Sequence, residues 1–409
     1  MSGLFERIAG QLVNNRSKLP RWARKMMELP ARKPDGFVGR LAALLLGSGS
    51  APVTSVPDSE IRVYIAPTNY AGQGYLWARA LERADQRIGA QNMAVRLPGG
   101  FAFAADTSVP IAAVNASQTW AEAEWEAARR FTHVLVEAER SMFGQRFDRN
   151  VEREIEALER SGLSVAFLCH GTDIRNPAAH RARTPWSPYP EDPRTELLQG
   201  EAETNLQLLQ RSRLAVFVST PDLLLDVPWA SWCPVVVDEQ RFASSNPVLQ
   251  SGSARVIHAS SDPLQKGSDR IQPALSGLID SKRIEFELVS GVASEAMPRV
   301  IGASDIVLDQ FRLGSYGVAA CEAMAAGRVV VGHVLPEVRH HIEVSTGWTL
   351  PIVEATPDTL GEVITELISD PARSREIAEE GRAYVSAIHS GERSAQVLID
   401  EWIAAPNNV

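Results

Sequence analysis

One stretch of the sequence decides the fold: Asp309-Gln-Phe-Arg-Leu-Gly-Ser-Tyr-Gly-Val-Ala-Ala-Cys-Glu-Ala-Met-Ala-Ala-Gly327. It follows Asp305-Ile-Val-Leu308, whose apolar residues are typical of a buried strand. The glycines predict a tight loop, and the small residues of 317–326 predict a helix. In open α/β sheets, ligands bind where strands end and helices begin. This loop is therefore the first candidate for a binding site.

The same alternation of strands and helices continues on both sides of this stretch. A first series begins with an apolar run at 61–66 and ends with another at 214–218. After the polar segment 238–253, a second series runs from the strand 255–258 to the strand 329–332. Strands separated by helices pair in parallel. The sequence therefore predicts an α/β protein with two Rossmann-like domains.

Linker-type residues and helix-start signals predict four segments of the chain. Residues 48–59 are small residues and prolines, typical of a linker. Asp370 before Pro371 marks the start of a helix in the helical C-terminal part of the chain. The segments are a basic arm and linker (1–59), an N-terminal domain (60–240), a C-terminal domain (241–388) and a final helix returning to the first domain (389–409).

Composition excludes several classes of protein. The 409 residues carry a net charge of −9 and are 44% hydrophobic, as expected for a soluble globular enzyme. An acidic chain is a poor general nucleic-acid binder. No apolar run reaches the length of a membrane-spanning helix, and three widely separated cysteines suggest buried thiols in a reducing compartment. We therefore expect a cytoplasmic protein.

The N-terminal arm has a charge of the opposite sign. Residues 1–40 contain nine Lys and Arg against three Asp and Glu. Two interpretations stay open. The arm contacts an anionic membrane surface peripherally, or it is a solvated arm or packing helix.

Two loops of the N-terminal half carry candidate ligand-binding residues. Gly72 and Gly74 follow the first strand and would allow a ligand close to the backbone. The third glycine of a dinucleotide-binding fingerprint is replaced by Trp77, which disfavours a dehydrogenase. His170, after the strand 165–169, could donate to a sugar hydroxyl or a phosphate, and Arg175 could neutralise an anion. The alternatives are a tight turn and a structural histidine.

The C-terminal half offers a cation and a carboxylate. Lys266, between a strand and a helix, could hold a diphosphate, unless it is simply a surface lysine. Glu322 lies in the small-residue helix, where a carboxylate is costly without partners. Two ribose hydroxyls would satisfy it, as would a salt bridge within the protein. No metal site is predicted, because Asp-x-Asp is absent and the stretch with Glu337 and His341 is expected to be a loop.

Together, Pro67–Gly74, His170–Arg175 and Gly314–Gly327 resemble the retaining glycosyltransferases of the GT-B fold, specifically family four, over residues 61–400. The resemblance implies two Rossmann-like domains facing a cleft, with the donor nucleotide on the C-terminal domain and the acceptor mainly on the N-terminal one. It implies metal-independent chemistry with a UDP- or GDP-linked sugar and no other cofactor. The acceptor stays unidentified.

The resemblance also implies roles for individual residues. Glu322 corresponds to the glutamate that holds the nucleotide ribose, Lys266 to the diphosphate-binding lysine and His170 to a histidine near the donor sugar. These three are the expected catalytic residues. The expected donor-binding residues are Gly72, Gly74, Arg175, Lys266, Gly314, Ser315, Tyr316, Gly317 and Glu322.

Two departures from the family pattern leave alternatives open. The family often has a glutamate where this chain has Gly314, and an arginine just before the lysine, where residues 260–265 have none. Arg175, Arg255 and Arg312 are candidates to replace that arginine. One alternative is a catalytically inactive relative that serves as scaffold for another glycosyltransferase. Another is a GT-B epimerase or phosphorylase.

Overall fold

The computed structural model describes residues 51–98, 100, 103–250, 252–260 and 262–405. The basic arm predicted for residues 1–40, with its membrane contact, lies outside these residues. The strands are β1 (Ile61–Ala66), β2 (Ile88–Arg96), β3 (Thr107–Pro110), β4 (His133–Glu137), β5 (Ser164–Cys169), β6 (Ala215–Val218), β7 (Ser231–Trp232), β8 (Ala254–Ala259), β9 (Ile284–Val289), β10 (Ile306–Leu308), β11 (Val329–Gly332) and β12 (Val353–Glu354).

Helices occupy most of the connections between these strands. The α-helices are α1 (Gln73–Ala84), α2 (Ile111–Ala116), α3 (Gln118–Ala128), α4 (Val151–Arg160), α5 (Pro177–Arg183), α6 (Thr195–Ser212), α7 (Glu239–Phe242), α8 (Pro263–Lys266), α9 (Ser268–Asp280), α10 (Met297–Gly302), α11 (Val318–Ala325), α12 (Pro336–Thr346), α13 (Leu360–Ser369), α14 (Pro371–Ile388) and α15 (Glu392–Leu398). Short 3₁₀ segments lie at Tyr70–Gly72, Pro221–Leu225 and Ser294–Ala296, and a π-helical turn at Ile399–Ile403.

The strands form two parallel sheets, which confirms the predicted α/β class. Their orders are β3-β2-β1-β4-β5-β6-β7 and β12-β11-β10-β8-β9. In the second sheet, Val307 lies between Ile257 and Val330 in register. The strand order reverses between β8 and β10, so the crevice beyond their carboxyl ends is the expected ligand position. The residues that follow these two strands include Lys266 and the glycine-rich loop.

Contacts divide the chain into two compact units, of which the second is Cys169–Ala404. The central strands β10 and β11 of the second sheet are buried throughout and are continuous apolar runs, as in other parallel sheets, whereas the edge strand β9 carries exposed glutamates. One core combines β-branched residues of β8, β10 and β11 with apolar residues of α9 and α13. It includes Val256, Ile271, Leu275, Ile306, Val329, Val331, Leu360 and Ile364.

The structure corrects two sequence predictions of irregular chain. The described part of the linker predicted at 48–59 is packed against the protein, because Thr54 is buried and donates two hydrogen bonds to Glu124 (2.9 and 2.5 Å). The loop expected around Glu337 and His341 is helix α12, which begins with Pro336 at a first-turn position. The three cysteines are buried, as predicted. Within the described part of the chain, no helix is long and apolar enough to cross a membrane.

Candidate functional site

The loop after β10, residues 309–317, is held by contacts of its side chains with the protein. We call it the β10 loop. Arg312 is buried and donates to the carbonyls of Trp186 (3.0 Å) and Ser187 (3.2 Å). Leu313 accepts a hydrogen bond from Nε2 of His180 (3.1 Å). Burial and the neighbouring Arg175 lower the pKa of His180 to about 4, so the imidazole is neutral at pH 7. The loop conformation is therefore fixed before any ligand binds.

The centre of the loop requires glycine at position 314. Gly314 has φ +67°, in the left-handed region, and an added Cβ would lie 2.5 Å from Cγ of Leu335. The carbonyl of Gly314 also accepts a hydrogen bond from the N–H of Leu335 (3.0 Å). The glutamate that the resembling family places here has no room. The replacement of the family's glutamate by Gly314 is thus a consequence of the backbone conformation.

Gly314→Ala should cost about 2–4 kcal/mol of unfolding free energy, because backbone strain and overpacking against Leu335 add. Gly317→Ala is the matched control: Gly317 has an extended backbone (φ −135°) and open space around its added Cβ. It should change stability by less than about 0.5 kcal/mol. Urea unfolding measures both. Equal stability of the two variants would contradict this account of the loop.

The β10 loop carries free main-chain donors immediately before α11. Among the described residues, the N–H groups of Gly314, Ser315, Tyr316 and Gly317 have no hydrogen-bond partner. They precede an eight-residue helix whose positive dipole end is at Val318. Successive free N–H groups at a helix N-terminus suit an anion such as a phosphate.

Glu322 lies on the same helix, one turn further along. Its side chain is partly buried, and no described residue forms a hydrogen bond or an ion pair with it. Burial raises its pKa to about 7, although the positive charges of Arg241 and Lys266 act to lower it. The internal salt bridge that the sequence left open is not formed with described residues. This carboxylate can accept two hydroxyl groups of a ligand.

Lys266 is the last residue of α8, the short helix after β8, and it contacts the β10 loop. Its ammonium group contacts the carboxylate of Asp309 (3.1 Å) and the carbonyl of Ala259 (3.4 Å). An ammonium has three donors, so one is left for a ligand oxygen. Three buried oxygens in the segment 260–266 and the β10 loop have no hydrogen-bond partner among the described residues: Ser260 Oγ, Gln265 Oε1 and Asp309 Oδ2. Orphaned buried oxygens next to a cation indicate a place where a polar ligand completes the structure.

The His170–Arg175 loop is joined to the β10 loop through one carboxylate. Asp222 accepts from Arg175 Nη2 (2.6 Å) and from Ser315 Oγ (2.5 Å), and all three residues are buried. Burial acts to raise the pKa of Asp222, but the charge of Arg175 and the bond from Ser315 hold it below its usual value. Within the loop, Asp173 accepts from the N–H of His170 (2.8 Å). The structure therefore places Arg175 in an internal ion pair.

Tyr316 connects the β10 loop to the C-terminal helices. Its hydroxyl lies 3.0 Å from the hydroxyl of Tyr384 and 3.2 Å from Nε2 of His389. His389 donates through Nδ1 to the carbonyl of Val235 (2.7 Å), so Nε2 accepts from Tyr316. Burial lowers the pKa of His389 to about 4. The helix end at Ile388 is thereby fixed to the segment that follows β7.

Gly72 and Gly74 belong to the first unit, where packing gives a reason for each. Gly72 has φ +78° at the start of α1. A Cβ on Gly74 would lie 2.5 Å from Nδ2 of the buried Asn92. Glu137 is buried and accepts from the N–H of Asn69 (2.9 Å). The tight-turn interpretation is therefore sufficient to explain these glycines, and their role toward a donor stays a prediction.

All three candidate arginines lie close to acceptor groups of the protein itself. Arg175 pairs with Asp222, Arg312 is held by carbonyls and Glu191, and Arg255 lies 3.9 Å from Glu285 at the surface. Sequence reasoning missed Arg241, whose charge acts on Glu322, because it lies in the polar segment 238–253 without a motif. It also missed Asp222, although Pro221, three residues after the end of β6, could have drawn attention to it.

The fold is that of GT-B glycosyltransferases. Sucrose-phosphate synthase of Thermosynechococcus elongatus has a TM-score of 0.51 and 13% identity, covering 83% of this chain and 97% of that one. Anabaena HepE in complex with UDP and glucose has a TM-score of 0.51 and 13% identity, covering 84% and 99%. WaaG, a glycosyltransferase of lipopolysaccharide biosynthesis, has a TM-score of 0.50 and 12% identity, covering 83% and 99%. No protein-family model and no curated protein matches the sequence.

Proposed function

We propose that the protein is a glycosyltransferase that moves a sugar from a nucleotide-sugar donor to an acceptor hydroxyl, with retention of configuration and without a bound metal. The observation that best supports this proposal is Glu322. It is a partly buried carboxylate with no partner among the described residues, and it lies on the helix that follows four free N–H groups. The structures with the same fold include one solved with UDP and glucose. UDP is therefore the first donor nucleotide to test, with GDP as the alternative.

Each group has a role in this proposal. Glu322 accepts the two ribose hydroxyls, and Lys266 with the N–H groups of 314–317 binds the diphosphate. As the bond from the anomeric carbon to the diphosphate oxygen breaks, its electron pair stays on that oxygen. The cation, the N–H groups and the helix dipole stabilise this charge. The acceptor oxygen bonds to the same face of the sugar and gives its proton to the departing diphosphate. His170 is assigned to the donor sugar.

A second candidate is a catalytically inactive relative that scaffolds another glycosyltransferase. The observation that favours it is the use of Arg175 and Arg312 in buried internal contacts, together with a glycine at 314 that no glutamate can replace. A scaffold would bind UDP weakly or not at all and would depend on a partner protein for turnover. Transfer activity of the purified chain alone would exclude it.

UDP should raise the melting temperature of the purified protein. A ligand that binds only the native state adds about 2.7 kcal/mol at a hundredfold excess over its dissociation constant. The measurement compares UDP, GDP and ADP, each with and without a chelator, and follows donor hydrolysis in parallel. One nucleotide should stabilise the protein and its sugar conjugate should be hydrolysed, with the chelator having no effect. No shift with any nucleotide would contradict the proposal.

A further inference from the structure

A separate pocket of about 330 Å³ lies in the second unit, between the 3₁₀ segment Pro221–Leu225 and helix α12. Its volume is at the lower end of the range of ligand sites. One wall is apolar and is formed by Leu224, Leu225 and Pro228. The other wall carries Glu337 and His341, which are four residues apart and therefore share one face of α12.

The polar wall is available to a ligand. Neither Glu337 nor His341 has a hydrogen bond or an ion pair with a described residue. His341 packs its ring edge-on against Trp232, with centroids 6.2 Å apart, which fixes its orientation. Burial, with Arg393 and His340 nearby, lowers the pKa of His341, so it is a neutral imidazole at pH 7. A neutral imidazole and a carboxylate one turn apart can together bind a hydroxyl group.

The pocket is tied to the β10 loop on both sides. Asp222, in the 3₁₀ segment of the apolar wall, accepts a hydrogen bond from Ser315. Leu335, directly before α12, donates through its N–H to the carbonyl of Gly314 (3.0 Å). Both walls are therefore positioned by the loop that is proposed to hold the donor diphosphate. The pocket and the β10 loop are therefore neighbours in the fold.

The pocket thus combines hydroxyl-binding groups on one wall with an apolar surface on the other.

We infer that this pocket is the acceptor site, and that it binds a hydroxyl-bearing ring joined to an apolar group, the chemistry of an aryl or alkyl glycoside. The inference rests on the proposed function. Glu337 and His341 would orient the acceptor hydroxyl, while Leu224 and Leu225 contact its apolar part.

The test is titration of the full chain with 4-nitrophenyl β-D-glucopyranoside and with glucose, with and without UDP. The aryl glucoside should bind roughly tenfold more tightly than glucose, because the aryl ring buries apolar surface. Glu337→Gln combined with His341→Ala should weaken aryl glucoside binding by roughly tenfold or more and leave UDP binding unchanged. Glu343→Gln combined with His340→Ala is the matched control on the same helix, outside the pocket, and should bind as the wild type does.

A second pair of variants avoids the helix altogether. Leu225→Ala should weaken aryl glucoside binding, and Leu197→Ala, at an exposed leucine outside this pocket, should not. Failure of the wild type to bind the aryl glucoside at millimolar concentration would overturn the inference. So would loss of UDP binding, instead of glucoside binding, in the Glu337 and His341 variant. If UDP does not bind the wild type, the proposed function fails. The titration without UDP still tests whether the pocket binds the aryl glucoside.

Discussion

Replacing Glu322 by alanine should weaken UDP binding about a hundredfold. Two hydrogen bonds from ribose hydroxyls to a carboxylate in a partly buried position contribute about 3 kcal/mol together, which corresponds to this factor. No described residue bonds to the carboxylate, so its removal leaves no orphaned partner and the fold should be kept. Isothermal titration measures the affinity, and the melting temperature of the free variant checks the fold.

Ligand analogues show whether the loss comes from the ribose. 2′,3′-Dideoxy-UDP lacks both hydroxyls, so the wild type and Glu322→Ala should bind it with equal affinity. UDP itself should discriminate between them. Glu366→Ala is a suitable control, since Glu366 lies on α13 outside the site. A Glu322→Ala loss of the same size with both nucleotides would show that the residue acts on the fold and not on the ribose.

The same contact should make nucleoside affinity dependent on pH. The ionised carboxylate accepts both hydroxyls, whereas the protonated form accepts less well and donates. Because burial raises the pKa of Glu322 to about 7, a falling pH places a proton in competition with the ribose. Uridine, which carries no phosphate to titrate, should lose about tenfold in affinity from pH 8 to pH 6. In Glu322→Gln the profile should be flat over this interval.

The fold was predictable because apolar runs and glycines report parallel strands directly. The runs at 61–66 and 329–332 were placed correctly, and the polar segment 238–253 does separate the strands of the two sheets. The strands that the sequence pattern did not predict have a more polar composition. Strand β2 contains Gln91 and Asn92, and the buried Asn92 donates through Nδ2 to the carbonyl of Ile65 (3.1 Å). A buried amide that donates to a distant carbonyl leaves no trace in a hydropathy pattern.

The candidate site was predictable in part, for a similar reason. A glutamate within a run of Ala, Cys and Met is conspicuous, so Glu322 was found from composition alone. Arg175 was also found, yet its partner Asp222 lies 47 residues away and no spacing rule connects them. The steric reason for Gly314 depends on Leu335, which only the folded chain brings near. Sequence thus identifies unusual residues, while their partners are set by the fold.

Asp222→Ala should destabilise the protein by about 3–5 kcal/mol, the largest stability loss expected here. The substitution leaves the Arg175 guanidinium charged and buried, and it removes the acceptor of Ser315. Ser315→Ala removes one neutral partner and keeps the ion pair, so it should cost only about 1 kcal/mol. Chemical unfolding of the two variants gives the comparison. Similar losses in both would mean that the ion pair adds little.

A double substitution separates stability from positioning. Arg175→Met with Asp222→Leu removes both charges and fills the space with apolar atoms, which is often neutral or stabilising for a buried ion pair. Stability should therefore recover relative to Asp222→Ala. UDP binding should not recover, because Ser315 has lost the carboxylate that fixes the β10 loop, and its N–H groups are no longer held in place. Recovery of both properties would show that Asp222 serves only to neutralise Arg175. Recovery of stability alone would establish it as a positioning residue for the loop.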